Sequence, residues 1–482
     1  MRFCMMLCGL ILSLGASAQQ EMGFDDALRV MLEQNKAITS AKYSVDAAYR
    51  EYRATQGLRM PKLDLVGCYT LMQHSIDIDL GGAKGVVTEA LDGVIKGGVT
   101  GGFMTPTMAT LLTDGLAPLM SADWRYTLQN RHFGFVGTTL TVPVYLGGRI
   151  GIANRVAKLE IEGAEIGLNS ATSALVTELV ERYYGVILAR EVVAVKEFVV
   201  KGVEQHLRDA EAMETEGVVA HSVVLYLQYK LSDVEREYSD ALSKLCVAER
   251  ALQTTLQYET TIEPSESMFL SFEIYDIDYY RDNAIISNCA VATMENAERL
   301  SGEGVNLARS AFMPEVVAMG GVSLYSYNLT KMLPRWAVGV GVTMPIFGGL
   351  SKQEQYQAAK STERSVSDMV QKVREDILLL VDKEYYTLQN AMLNINSSKR
   401  SIAFAESYYR TALEGFREGV TPSSELMDAR ISLAASEVEY LDAVYNYVLS
   451  LARLLEVSGL SDTFTLYMNG GVKVDINSVI DL

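Results

Sequence analysis

Val142-Pro143-Val144-Tyr145-Leu146-Gly147 and Met344-Pro345-Ile346-Phe347-Gly348-Gly349 are two versions of one phrase, standing 202 residues apart. The same offset lays Glu216-Gly217-Val218 on Glu418-Gly419-Val420. It also lays Glu235 on Glu437, Tyr238 on Tyr440, Ala241 on Ala443 and Leu252 on Leu454. A constant offset held over so long a stretch reports one structural unit written twice. Upstream the offset becomes 253, with Asn35 on Asn288, Ala37 on Ala290 and Met60-Pro61 on Met313-Pro314. The change of 51 residues is a single insertion in the first copy, placed within 73–131. The chain thus divides into a first repeat, 19–262, and a second, 263–482. Each reads helix, Pro, strand, loop, strand, Pro, long helix, turn, helix.

The strands flank the proline pairs. Trp336, Val338, Val340, Val342, Met344 and Ile346 alternate with Ala337, Gly339, Gly341 and Thr343, and Val136, Leu140, Val142 and Val144 alternate with Gly137, Thr139 and Thr141. Side chains on a strand point to opposite faces in turn, so one face is apolar and the other small and polar. Their partners run from Lys62 to Met72 and from Glu315 to Tyr325. Ten or so residues is the length of a tilted membrane-crossing strand. It is equally the length of a half-buried hairpin strand in a soluble sheet.

The helical segments narrow the choice. No proline interrupts Pro143 to Pro264 or Pro345 to Pro422. A helix from Ile150 to Glu216 would extend on the order of 100 Å, a length that belongs to coiled coils. The returning helix carries heptads: Val224, Leu231, Tyr238, Leu245 and Leu252 in one column, Leu227, Val234, Ala241 and Ala248 in the other. The second copy repeats them with Leu426, Leu433, Tyr440, Tyr447 and Leu454 beside Ala429, Ser436, Ala443 and Ser450. One large and one mostly small column suits helices packed closely side by side.

Arg2, the apolar run Met5 to Leu14 and the small-residue site Ala16-Ser17-Ala18 read as a signal peptide over 1–18. The run is too short to span a bilayer, which takes about 20 apolar residues. Of the five cysteines, Cys4 and Cys8 leave with that peptide. Cys68, Cys246 and Cys289 stand too far apart for a disulfide framework or a metal-ligand spacing. Sixty acidic against 42 basic residues give a net charge of -18, the wrong sign for a nucleic-acid partner. The four histidines show no metalloprotease spacing, and phosphate-binding loops, dinucleotide fingerprints and nucleophile elbows are missing. An enzyme is therefore not expected, nor a cofactor or a structural metal.

The duplicated Pro-aromatic-Gly phrase and the run Gly419-Val-Thr-Pro-Ser-Ser-Glu-Leu-Met-Asp-Ala-Arg430 resemble the TolC-like outer-membrane efflux family over nearly the whole mature chain. The resemblance implies a mixed α/β membrane protein. Three chains give four strands each to a twelve-stranded transmembrane β-barrel, continued by a long periplasmic α-helical coiled-coil barrel. It implies a homotrimer in the outer membrane of a Gram-negative bacterium, in contact with outer-membrane lipid. A periplasmic adaptor and an inner-membrane pump would be its partners, and the function is an exit duct for efflux or secretion. Pro143, Tyr145, Gly147 and Gly148, with Pro345, Phe347, Gly348 and Gly349, would make the strand-to-helix junctions, and Gly217 and Gly419 the hairpin turns. Glu425 and Asp428 match the family's acidic gate positions and share a helix face, which makes them a candidate site for cation block. The plainer reading is a solvated helix start, with Thr421 as N-cap, Pro422 at N1 and acids in the first turn. The first copy carries Val223 and Tyr226 at those places, so the fold does not require the acids. Asn35-Lys36 and Asn288-Cys289 stand where the family has Asn-Pro. The insertion is expected at the outer end, with a short helix near Val86 to Ile95, dispensable for folding over 80–120. A periplasmic coiled-coil scaffold would explain the heptads but not the strands, and protein secretion is a closer alternative on the same fold.

Overall fold

The computed structural model describes residues 20–258, 260, 262–271, 273–330 and 332–474; the expected signal peptide, 1–18, lies outside the described residues. β1 (Gln20–Met22), α1 (Phe24–Gln34) and α2 (Lys36–Gln56) lead to β2 (Lys62–Leu71). The insertion then folds as β3 (Ile76–Asp79), α3 (Gly81–Thr100), α4 (Pro106–Ser121) and β4 (Arg125–Gln129). β5 (His132–Leu146) runs into the long helix α5 (Arg149–Thr215), which returns as α6 (His221–Leu256). The second half follows with β6 (Ile262–Pro264), β7 (Phe269–Leu270), α7 (Ile277–Ser287) and α8 (Cys289–Ser310). It continues with β8 (Glu315–Tyr327), β9 (Trp336–Thr343), α9 (Ser351–Arg417), α10 (Ser423–Val457), α11 (Phe464–Gly470) and β10 (Val472–Lys473). No described helix is long and apolar enough to cross a membrane.

The chain forms two compact units. One holds Ala54–Ala153 and Leu307–Glu354, and its centre is an antiparallel sheet in the order β2-β5-β8-β9. Directly paired residues share a face, so the register assigns the faces. Leu63, Leu140, Gly320 and Val338 form one rung; Leu65, Thr138, Val322 and Trp336 form the next. Val142, Ala318 and Val340 lie on the same face, as do Tyr69, Gly134 and Tyr327. The opposite face carries Lys62, Thr141, Met319 and Gly339, then Asp64, Thr139, Gly321 and Ala337. The apolar face is bare, with Leu65 72% and Val338 77% exposed. Aromatic Tyr69, Tyr325, Tyr327 and Trp336 cluster toward the loop end of that face, as interface-anchoring rings do at a bilayer boundary.

The two junctions differ. In the first, the ladder shifts register between Pro143 and Tyr145, leaving Val144 as the extra residue of a bulge. The bulge turns Tyr145, paired with Val316, onto the apolar face where simple alternation would have placed Val144. Gly147 and Gly148 follow at φ of 63° and 86°. A Cβ on Gly147 would stand 2.8 Å from the Ser310 carbonyl, so both its conformation and its surroundings require glycine. In the second junction β9 stops at Thr343, short of the expected Ile346. β9 is an edge strand, and past Thr343 it has one neighbour fewer than β5 to hold it in the ladder. Gly349 and Leu350, at φ of 66° and 63°, are the left-handed pair there, at the positions the offset of 202 assigns to Gly147 and Gly148, one residue later than the expected Gly348-Gly349.

The other unit runs up to Arg53, from Asn154 to Asn306 and from Gln355 onward. Its core joins Phe24, Tyr183, Tyr184, Phe269, Tyr447 and Phe464 with the buried heptad residues Leu252, Tyr440 and Leu454. Tyr447 donates to the Ser271 carbonyl at 2.5 Å and Tyr183 to that of Met22 at 2.8 Å, so these two buried phenols are satisfied, whereas the buried Tyr184 hydroxyl has no partner among the described residues. Burial pushes the Tyr183 and Tyr447 hydroxyls up to about 12. The helix breaks at Asn35 and Asn288 survive without proline. Each asparagine Oδ1 accepts from the amide two residues on, Ala37 or Ala290, at 2.8 Å, and so caps α2 or α8. Each Nδ2 donates to the last turn of a returning helix, at Thr255 (2.9 Å) or Val457 (2.7 Å). One buried amide thus starts one helix and satisfies the end of another. Asn288→Ala is expected to cost roughly 1–3 kcal/mol, as cap and buried acceptor are lost together. Asn288→Asp, which keeps only the acceptor, should fall between. Urea unfolding followed by circular dichroism measures both; an alanine variant as stable as the parent would contradict the account.

Candidate functional site

The tips of the two helical hairpins, α5–α6 and α9–α10, close in the same way. Val218 N–H donates to Met213 and Gly217 N–H to Glu214, both at 2.9 Å; Val420 and Gly419 repeat this to Gly415 and Phe416 at 2.8 and 3.0 Å. This is the Schellman arrangement, which needs a left-handed residue at its centre, and both Gly217 and Gly419 have φ of 75°. The N-terminal cap of α10 differs from expectation. Pro422, with extended φ and ψ, is the capping residue and Ser423 the first of the helix, so Thr421 lies one position too early to cap.

Glu425 and Asp428 stand exposed on one face of α10, while Leu426, Met427, Ala429 and Arg430 are buried beneath them. Asp428 lies 3.8 Å from Lys230 of α6, so it is partly compensated within the chain. Carried on at heptad spacing, the exposed stripe reads Glu425, Asp428, Ser432, Ala435, Glu439, Asp442 and Asn446. It holds four acids and no base. Glu439 and Asp442 escaped the motif reading, although counting three and four residues onward from Asp428 reaches them. Burial pushes the Asp442 carboxyl up, and Lys244, two heptads after Lys230, opposes that. No cluster of three or more metal-ligating side chains occurs among the described residues.

Beneath the stripe Arg430 joins three helices. It is 8% exposed and donates to the Tyr409 hydroxyl on α9 at 2.9 Å and to the Phe198 carbonyl on α5 at 2.8 Å. Its guanidinium lies 4.5 Å from the centre of the Phe198 ring, a cation–π contact. Space for it exists only because residue 202 is glycine; a Cβ there would come within 1.9 Å of Cζ. One turn on, His206 packs edge-on against Phe416, and its pKa is lowered by burial and then by Arg430, so it is held neutral. Arg430 closes the quoted sequence run, but only the structure reveals its burial and its dependence on Gly202.

Residues 281–460, which contain the second of these hairpins, α9–α10, match the model of the outer membrane efflux protein family. That segment is an outer membrane efflux protein domain. The chain is 21% identical over 305 residues to the alkaline protease secretion protein AprF of Pseudomonas aeruginosa, a match spanning 61% of this chain and 63% of AprF. Among solved structures it resembles the outer membrane channel CmeC of Campylobacter jejuni, with TM-score 0.69, 14% identity and coverage of 95% and 88%. CusC gives 0.71 at 15% identity, covering 92% of this chain and 95% of its own. The open-state outer membrane channel MtrE of Neisseria gonorrhoeae gives 0.68 at 14% identity, covering 91% and 89%. The fold of the chain is therefore that of these channels, over nearly its whole length.

Gly202→Ala should destabilise the tip by about 1–3 kcal/mol, the usual range for overpacking a filled site. Gly304→Ala, on an exposed helix position with nothing near its Cβ, should stabilise by up to about 1 kcal/mol. Because the clash is with Arg430, combining Gly202→Ala with Arg430→Ala should cost less than the sum of the two. Additive losses in chemical denaturation would show that the contact is not the cause.

Proposed function

We propose that the chain is an outer-membrane exit duct of a tripartite efflux or secretion system, working as a homotrimer that passes substrates from the periplasm or an inner-membrane pump to the exterior. The observation that carries this reading is the β2-β5-β8-β9 sheet: apolar on one face, small and polar on the other, and unpaired at both edges. In hydrocarbon each unsatisfied backbone group costs several kcal/mol, so such a sheet persists only when closed. Three copies joined β9 to β2 make twelve strands. Outer-membrane lipid then covers the apolar face, and the helices serve as the periplasmic conduit that meets an adaptor and a pump. The likeness to a protease secretion protein favours protein cargo as a second reading on the same fold.

Glu425 and Asp428 are assigned to the periplasmic constriction. Threefold symmetry brings six carboxylates round one axis, where their repulsion favours bound cations. Asp428 is the weaker of each pair because Lys230 faces it. The stripe through Glu439 and Asp442 extends the same sign of charge along α10 and favours cations in transit.

Planar-bilayer recording of the purified protein tests both parts. Stepwise currents with a cation-side reversal potential under a salt gradient are expected, reduced by added divalent or trivalent cations. Glu425→Ala with Asp428→Ala should abolish that block while the steps remain. Silent bilayers would remove the exit-duct reading. Block at parental strength in the double variant would move the constriction elsewhere, for instance to the first-repeat turn near Glu216.

A further inference from the structure

The insertion between β2 and β5 is larger and better formed than the short helix its sequence suggests. β3 and β4 extend the β2–β5 ladder through the bond from Met72 N–H to the Arg131 carbonyl at 2.9 Å. Gln129, 9% exposed, fixes this root: its Nε2 donates to the Asn328 carbonyl at 2.8 Å and its Oε1 accepts from Thr330 N–H at 2.8 Å. Above the root α3 and α4 form an antiparallel pair, with Thr105 capping α4 and Pro106 opening it. The half-buried residues Thr88, Leu91, Ile95 and Gly98 of α3 face Ala109, Leu116 and Met120 of α4.

That contact uses one face of each helix and leaves a second apolar stripe on both. On α3 it is Val86, Ala90, Gly93, Val94 and Gly97; on α4 it is Met108, Leu111, Gly115 and Leu119. Val86, Val94 and Leu111 are 69%, 68% and 75% exposed. Only five residues of 81–120 are charged, and Glu89, Asp92 and Lys96 share the remaining face of α3. Counting about 100° per residue from the faces that meet, both apolar stripes fall on one side of the pair and the charges on the other. A helical pair apolar on one side in water marks an interaction surface.

We propose that this surface is covered by the same hairpin of the neighbouring chains, the α4 stripe of one packing on the α3 stripe of the next. The inference rests on the trimeric reading above. Two observations select a second copy as the occupant. The hairpin rises from the β2–β5 pair, and β2 is the open edge at which the next chain joins, so closing the barrel brings a second hairpin beside it. A threefold contact is also head-to-tail, so it needs two different, complementary patches instead of one self-matching patch. Met108, Leu111 and Leu119 supply the large side; Ala90, Gly93 and Gly97, which let helix backbones approach, supply the small side.

Paired cysteines test this. In a background with Cys68, Cys246 and Cys289 replaced by serine, Val94→Cys and Leu111→Cys are placed together in the full chain. Mild oxidation in detergent or in isolated membranes should give covalent dimers and trimers, at least fivefold more than either single variant. It should also exceed, by the same factor, Asp92→Cys with Leu111→Cys, which pairs the charged face. Native mass measured before oxidation separates the outcomes. Trimers whose Val94/Leu111 pair links no better than the Asp92 control would overturn the packing while leaving the exit duct standing. Labelling of Leu111→Cys by a photoreactive lipid would do the same. A background protein that is monomeric in native mass would remove the trimeric reading and this packing with it.

Discussion

An unpaired strand edge is tolerable in water and very costly in lipid, and that difference governs how this chain is built. β2 and β9 each present a free row of backbone donors and acceptors, and the sheet between them is clothed on one face in leucine, valine and aromatic rings. Neither the bare face nor the open edges suit a soluble monomer. Both are resolved together if lipid takes the face and other copies take the edges. The bulge at Val144 belongs to this arrangement, since it brings Tyr145 onto the apolar face at the point where strand becomes helix.

Away from the sheet the stabilising logic becomes one of helix ends. Long helices bury little per turn against a single partner, and their unsatisfied termini are where they fail. Here the ends are tied to one another. Asn35 and Asn288 each cap one helix and satisfy the last turn of a second, and two Schellman turns centred on Gly217 and Gly419 close the hairpins. Arg430 then fastens α10 to α5 and α9, held by a hydroxyl, a carbonyl and an aromatic face, with no ion pair to an acid among the described residues. A buried guanidinium so dependent on geometry specifies one arrangement of the hairpins more than it stabilises them.

What could be read without coordinates was whatever repeats with a period. The alternation around Val338 and Val340 and the heptads from Val224 and Leu426 correspond to observed faces, because side-chain direction on a strand or helix follows from spacing alone. Local exceptions were not legible. The bulge at Val144 and Pro422 at the N-cap position in place of Thr421 each turn on one residue's backbone angles, whereas the left-handed pair Gly349-Leu350 stands where the offset of 202 puts Gly147-Gly148. The second helix of the insertion was hidden by the helix-disfavouring Gly115 and Pro118 within it, although Thr105-Pro106 is a cap signal that could have revealed it. Gly202 was invisible as a functional position because its role is to be absent beneath Arg430. Glu439 and Asp442 were overlooked for a simpler reason: the motif ended at Arg430 and the acidic stripe does not.

The central claim is that the sheet is complete only when other copies close it. Native mass spectrometry of the full-length protein, extracted from membranes in mild detergent, addresses that claim most directly. The account predicts one dominant species at three times the chain mass, lost only when the barrel unfolds. A monomer that stays folded and monodisperse after the detergent is removed would contradict it.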